Sequence, residues 1–227
     1  MLLKKNQVEK QKNCVILNVF DRGREASVEY SISLSYFITV GGRVPCSIAR
    51  SKREEIELYS LVTTSIIQGI KSTPVYVEAD VSNGMPVFEM VGFLASEVKE
   101  SKERVRTALK NSGILLPAKR ITINFIPANI RKTGSGFDLP IAIAVLAALG
   151  LVPQDALENR MIIGEISLNG DVKAVNGILP MVAEARERGI TACIVPQDNG
   201  QEAELVKNIE IYAVHDIKEV LYLLNGG

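Results

Sequence analysis

Hydrophobic residues recur at every second position in one stretch near the N-terminus. Seven of them alternate with mostly polar residues: Val28, Tyr30, Ile32, Leu34, Tyr36, Ile38 and Val40. Because alternate side chains of a strand lie on opposite faces, this pattern predicts a long amphipathic β-strand. Gly41, Gly42 and Pro45 end it, and the polar run SKREEIE follows. We therefore expect an N-terminal extension at residues 1–58 and a main domain at residues 59–227.

Two strand pairs with tight turns are predicted in the main domain. Asn83-Gly84 interrupts the segment PVYVEADVSNGMPVFEMVG, and Asn169-Gly170 interrupts the segment RMIIGEISLNGDVKAVNG. The dipeptide Asn-Gly favours the positive backbone φ angles of a two-residue hairpin turn. Each segment is therefore interpreted as a β-hairpin.

Two helices of different character are also predicted. The first spans residues 96–113 and buries Val98, Val105 and Leu109 on one face. The second, over residues 139–149, is apolar almost all round, which is typical of a central, buried helix. Further along the chain, strands and helices alternate. Hairpins followed by alternating elements predict an α+β fold with mixed-sheet α/β layers.

Charge is balanced over the whole chain but unevenly distributed. The chain has 26 Lys and Arg against 26 Asp and Glu, yet residues 99–132 hold nine basic and two acidic side chains. Such a basic region attracts phosphate groups, although a solvated helix face is the alternative explanation. Eight of its side chains are candidate phosphate contacts: Lys99, Lys102, Arg106, Lys110, Lys119, Arg120, Arg131 and Lys132. The first four form a basic stripe along the first predicted helix.

The residues exclude several kinds of site. No G-x-x-x-x-G-K-[ST] segment occurs, so the chain has no Walker-type phosphate loop. Cys14, Cys46 and Cys193 form no metal-binding or disulfide pattern, and His215 is the only histidine. The apolar run at residues 139–153 is too short to cross a bilayer, and no secretory signal is present. We expect a cytoplasmic protein with no metal or cofactor in this chain and no membrane attachment.

The loop GSGFDLP brings one acidic side chain to the start of the buried helix. Proline belongs in the first turn of a helix, so Pro140 makes Asp138 the predicted N-cap, whose carboxylate accepts a backbone N–H. The alternative is a catalytic carboxylate that acts with Glu165 or Asp171. Because capping explains the residue without a further partner, we predict a cap.

Five segments of the main domain form a set in a fixed order. They are VEADVSNGMPVFEMVGF, VKESKERVRTALKNSG, LPAKRITINFIPANIRKTGSGFDLPIAIAVLAALG, GEISLNGDVKAVNGILPMVAEARERG and IVPQDNGQEAELV. Together they resemble the N-terminal domain of the ComM/YifB family of magnesium-chelatase-like AAA+ ATPases, over about residues 59–225. The resemblance implies a fold similar to the Lon proteolytic domain, which is the ribosomal protein S-five domain-two-like fold. It also implies a hexameric ATPase that remodels DNA by branch migration in natural transformation.

The same resemblance bears on catalysis, since Lon-type peptidases use a Ser-Lys dyad. It places Asp138 at the position of the serine and Leu179 or Pro180 at that of the lysine. The resemblance therefore implies that both members of the dyad are absent and that the chain has no catalytic residues. A shifted alignment pairs Ser135 with Lys173, so a Lon-like Ser-Lys peptidase is the alternative function.

The family also sets expectations for the ends of the chain. Its members usually begin near LVTTSIIQGIK and continue into an AAA+ module that binds ATP and Mg²⁺. This chain ends at Gly227, where that module should begin, so we expect a truncated or split gene. The predicted function is a non-catalytic accessory domain of a ComM-like ATPase, with DNA contacts through the basic residues. A subunit-packing domain without DNA contact is the alternative.

Overall fold

The computed structural model describes residues 59–227, and the strand predicted at residues 28–40 lies outside the described residues. The described part contains nine strands and five helices. The strands are β1 Tyr59–Gln68, β2 Lys71–Ser82, β3 Val87–Val91, β4 Arg120–Ile126, β5 Arg160–Ile162, β6 Glu165–Ile166, β7 Val172–Lys173, β8 Ala192–Pro196 and β9 Glu210–Val214. The helices are α1 Ser96–Asn111, α2 Asp138–Ala148, α3 Ile178–Glu187, α4 Gly200–Ala203 and α5 Ile217–Leu224.

Seven strands form one mixed sheet in the order β3-β4-β2-β1-β5-β8-β9. β1 and β2 pair antiparallel along their whole length, from Tyr59 opposite Asp80 to Gln68 opposite Lys71. β2 and β4 are also antiparallel, whereas the other four neighbouring pairs are parallel. This mixture of pairings confirms the predicted fold class.

The first predicted hairpin is wrong, because β2 and β3 do not pair with each other. β4 lies between them, and its Ile123 is opposite Ala79 on β2 and Met90 on β3. The alternate apolar side chains of β4 are buried in the core, which favours a central place in the sheet over an edge. The turn at Asn83-Gly84 therefore ends β2 without closing a hairpin.

The second predicted hairpin is confirmed. β6 and β7 form a two-stranded antiparallel sheet in which Glu165 is opposite Lys173 and Ile166 is opposite Val172. Gly170 in the turn has a φ of 95°, a backbone conformation that glycine adopts without steric cost. The hairpin packs against the beginning of α2, where the candidate site lies.

Helices cover both faces of the large sheet. In β8 the side chain of Ile194 belongs to the core that α1, α2 and α5 share, while its neighbours Cys193 and Val195 belong to the core of α3 and α4. Since neighbouring strand residues point to opposite faces, the two cores lie on opposite sides of the sheet. α2 is buried almost all round, as predicted. Within residues 59–227, no helix combines the length and apolar character needed to span a membrane.

Candidate functional site

Asp138 lies at the first residue of α2, and its side chain is completely buried, with 0% of its surface exposed. The guanidinium group of Arg104 from α1 holds the carboxylate with two hydrogen bonds. Arg104 Nε donates to Asp138 Oδ2 at 2.7 Å, and Nη2 donates to Oδ1 at 3.0 Å. The backbone N–H of Ile166 in β6 also donates to Oδ2, at 3.4 Å. The acid thus joins α1, α2 and the β6–β7 hairpin.

The prediction that Asp138 caps α2 is wrong. Phe137 occupies the N-cap position and its backbone is already close to helical, and within residues 59–227 no side-chain cap accepts a hydrogen bond from the first turn. The carboxylate turns instead toward Arg104, because a two-pronged, charge-assisted pair is stronger than one hydrogen bond to a neutral N–H. Its place in the first turn still puts negative charge at the positive end of the helix dipole.

Arg104 is the residue of this site that the sequence analysis missed. Besides Asp138, its Nη2 donates to Ser101 Oγ and to the Glu97 carbonyl oxygen, each at 3.0 Å. The hydrogen bond to Asp138 is the largest cause of the raised pKa of Arg104. Burial raises the pKa of Asp138, and the interaction with Arg104 opposes that rise. The sequence signal was a polar pair, Ser101 and Arg104, beside the apolar stripe of α1.

The alternative dyad of Ser135 and Lys173 is not assembled in the described structure. The Ser135 hydroxyl donates a hydrogen bond to the Glu165 carboxylate. Lys173 Nζ instead donates to Asp171 Oδ2 at 2.9 Å. A Ser-Lys dyad depends on a direct hydrogen bond between hydroxyl and amine, and these two side chains do not make one.

Leucine and proline occupy the position implied for the dyad lysine. Leu179 lies in the first turn of α3, next to Pro180, and an aliphatic side chain cannot carry a proton. The Leu179 backbone N–H donates to Glu202 Oε1 at 3.3 Å, which attaches the start of α3 to α4.

Gly164 explains how closely the hairpin approaches α2. A Cβ atom added to it would lie 2.9 Å from Val172 Cγ1 and 3.1 Å from Leu139 Cδ2. Its carbonyl oxygen accepts from the Leu139 N–H at 3.0 Å, and its own N–H donates to the Gly136 carbonyl at 3.2 Å. A larger residue does not fit at the first position of the segment GEI, because the hairpin backbone lies directly against the start of α2.

The basic stripe of α1 lies on the surface. Lys99, Arg106 and Lys110 are exposed, Lys102 is half-buried, and spacings of three or four residues put them on one side of the helix. Within residues 59–227, none of the four lies within 4.0 Å of a carboxylate oxygen. The opposite side of α1 is the buried one. Among the described residues, the positive charge of the stripe is therefore not neutralised by an ion pair.

The other four basic candidates are less available to a phosphate than the stripe residues. Arg120 Nη2 is paired with Glu89 Oε2 at 2.5 Å, and the Arg131 guanidinium lies 6.0 Å from the ring centre of Phe93. Lys119 is half-buried. These side chains are occupied or partly covered, so they are weaker candidates than the stripe.

The prediction that Lys132 contacts phosphate is wrong. Its side chain is completely buried, and its Nζ donates to the carbonyl oxygen of Pro127. Backbone hydrogen bonds hold it there, since its N–H donates to the Phe93 carbonyl at 2.8 Å and its carbonyl accepts from the Ala95 N–H at 2.9 Å. Burial also lowers the pKa of the Lys132 amine. Lys132 secures the loop before α2 and does not face solvent.

Comparison with known proteins places this chain in a family. A family model described as subunit ChlI of Mg-chelatase matches residues 77–199. Competence protein ComM of Haemophilus influenzae is 36% identical over 167 residues, which is 74% of this chain and 33% of the relative. The YifB protein of Escherichia coli is 38% identical over 167 residues, with the same coverage of 74% and 33%. The chain therefore covers about a third of the length of these curated relatives.

The Lon proteases provide a more distant comparison. Lon protease 2 of Bacillus subtilis is 35% identical over 127 residues, which is 56% of this chain and 22% of the relative. This similarity supports the Lon-like fold. At the position that the resemblance assigns to the Lon serine, the present structure has Asp138 paired with Arg104. On the family match and the two relatives that share most of its length, the chain belongs to the ComM/YifB family of magnesium-chelatase-like proteins.

Proposed function

We propose that this chain is a non-catalytic accessory domain of a ComM-like DNA-remodelling ATPase, and that the basic stripe of α1 contacts DNA phosphates. The proposal rests on the four cations of the stripe, which have no carboxylate partner within residues 59–227. Lys99 and Lys110 are eleven residues apart, which is about 16 Å along a helix. A duplex carries one phosphate charge per roughly 1.7 Å of its axis, so several phosphates face a surface of that length.

The family relationship supports a role in DNA metabolism. The Haemophilus influenzae relative is named a competence protein. We infer that the assembly containing this domain acts in branch migration during natural transformation, and that it is a hexamer. The accessory domain then holds DNA at the surface of the assembly while the ATPase module performs the mechanical work.

ATP and Mg²⁺ belong to that ATPase module and do not fit the residues of this chain. No Lys follows a glycine-rich loop in the way that a Walker motif requires. Within residues 59–227, no group of three or more His, Cys, Asp or Glu is placed to hold a metal ion. We therefore assign this domain a binding role in the assembly.

The proposal is tested by the salt dependence of DNA binding. We expect the purified chain to bind single-stranded and forked DNA, with an affinity that falls steeply as salt rises from about 50 to 200 mM, because each displaced counterion adds to the slope. Fluorescence anisotropy of labelled oligonucleotides at several salt concentrations gives that slope. Absence of salt-dependent binding contradicts the DNA contact and leaves subunit packing as the role of the domain.

The non-catalytic part of the proposal has a separate test. We expect the purified chain to leave an unfolded protein substrate intact without ATP, even at high protein concentration, because Ser135 and Lys173 have different hydrogen-bond partners. Gel electrophoresis of the substrate after prolonged incubation measures cleavage. Cleavage that disappears in Ser135→Ala would establish a peptidase and overturn this part of the proposal.

A further inference from the structure

A groove of about 370 Å³ lies beside the C-terminal half of the basic stripe. Its lining residues are Glu103, Arg106, Thr107, Lys110, Leu115 and Leu116. α1 forms one wall. The segment that follows the helix forms the other wall, after the chain reverses at Gly113, which has a φ of 89°. The Ile114 N–H donates to the Leu109 carbonyl at 2.9 Å, which secures this reversal against the helix end.

The two walls differ in chemistry. Arg106 and Lys110 provide positive charge on one side, while Leu115 presents an apolar side chain that is 77% exposed on the other. An exposed leucine alone needs no explanation, but this one lines a groove together with two cations that have no acidic partner in the described part of the chain. The groove therefore suits a ligand that joins an anionic group to a flat apolar one.

We propose that the groove receives one unpaired nucleotide of a DNA single strand. This inference rests on the proposed function, since it names the form of DNA that the stripe recognises. Arg106 and Lys110 hold the phosphate, and Leu115 and Leu116 contact the face of the base. In a duplex the base faces are covered by stacking, so only a single strand or an open fork offers a base to this groove.

The acidic residue of the groove fits the same ligand. Glu103 repels phosphate, but a carboxylate accepts a hydrogen bond from the exocyclic amino group of cytosine. The hydroxyl of Thr107, one helical turn further along, both donates and accepts hydrogen bonds. These two side chains give the base edge polar partners while the leucines cover its face. Neither the carboxylate nor the leucine side chains would increase the affinity of a groove that bound phosphate alone.

The substitution Leu115→Ser separates base contact from phosphate contact. We expect it to weaken binding of a single-stranded oligonucleotide about 5- to 10-fold, because the leucine side chain removes apolar surface from water when it covers the base, and serine does not. Binding of the matching duplex, and of an abasic strand with the same phosphates, should not change. Fluorescence anisotropy at one low salt concentration measures all three probes. The matched control is Leu205→Ser, at a leucine that is 67% exposed away from the groove.

The outcomes distinguish the two proposals. If the native chain binds DNA with the expected salt dependence but Leu115→Ser binds all three probes as the native chain does, the groove does not hold a base and only the phosphate contact stands. If Leu115→Ser weakens binding of the duplex and the abasic strand as much as binding of the single strand, the base contact is also overturned. If the native chain binds none of the probes, the proposed function fails and this inference fails with it.

Discussion

Replacing Arg104 by leucine should lower the free energy of unfolding by about 3–5 kcal/mol. The substitution leaves the carboxylate of Asp138 fully buried with no cation beside it, and an unpaired buried charge is among the most destabilising changes a fold can suffer. The Ile166 N–H alone cannot replace a guanidinium that makes two hydrogen bonds. Urea denaturation, with the transition midpoint and slope both measured, gives the loss.

The loss of stability caused by Arg104→Leu should be smaller at acidic pH than at neutral pH. Burial raises the pKa of Asp138 in the native protein, and removing Arg104 takes away the main opposing interaction, so the folded-state pKa rises further. A carboxyl group whose pKa is higher in the folded state binds more protons when folded. The stability of the variant therefore increases as pH falls from neutral through that raised pKa, and its difference from the native protein narrows.

Two controls separate this charge effect from a packing effect. Arg188→Leu breaks a surface pair in which Arg188 Nε lies 2.6 Å from Glu184 Oε1, and it should cost at most about 1 kcal/mol. Adding Asp138→Asn to Arg104→Leu should recover part of the loss at neutral pH, because a neutral amide costs less to bury than a carboxylate. A loss that is the same at acidic and neutral pH, or no larger than that of Arg188→Leu, contradicts the prediction.

The pair of Arg104 and Asp138 also connects the basic stripe of α1 with the start of α2. Arg104 is on the same helix as the basic stripe, and Asp138 occupies the position that the family resemblance assigns to a nucleophile. Their hydrogen bonds fix the rotation of α1 against the start of α2. The pair therefore also sets the direction in which the stripe faces.

Local sequence patterns predicted the elements whose structure depends on nearby residues. α2 is apolar on every side, so its burial followed from its own composition. The turn at Gly170 closes a hairpin between strands that are adjacent in the chain. The first predicted hairpin failed because the partner of β2 is β4, which comes after an intervening helix, and no local turn signal indicates such a pairing.

The same difference between nearby and distant partners explains which site residues could be predicted. The partner of Asp138 lies 34 positions earlier in the chain, so neither the capping signal nor the helix pattern could identify it. Lys132 is in a loop, where no periodicity shows which side chains turn inward. The stripe at Lys99, Lys102, Arg106 and Lys110 was predicted correctly as one helix face, because a regular spacing determines which side chains share a surface.

Replacing all four stripe residues by glutamine should reduce the affinity for DNA at low salt by roughly 100-fold or more. Each phosphate contact contributes about 0.9 to the slope of the logarithm of affinity against the logarithm of salt concentration for a duplex. Loss of four contacts should therefore lower that slope by about 3–4. Fluorescence anisotropy over a salt series measures both quantities, and the thermal unfolding midpoint shows whether the fold is kept.

The control for the four-residue variant must remove the same charge from elsewhere. Lys71, Arg186, Lys207 and Lys218 are all exposed, and their replacement by glutamine also removes three lysines and one arginine. Both variants change the net charge equally, so long-range attraction weakens equally in both. Only the stripe variant should lose most of its salt slope, because only it loses the positions that displace counterions. Equal losses in the two variants would mean that DNA responds to overall charge and that α1 is not the contact surface.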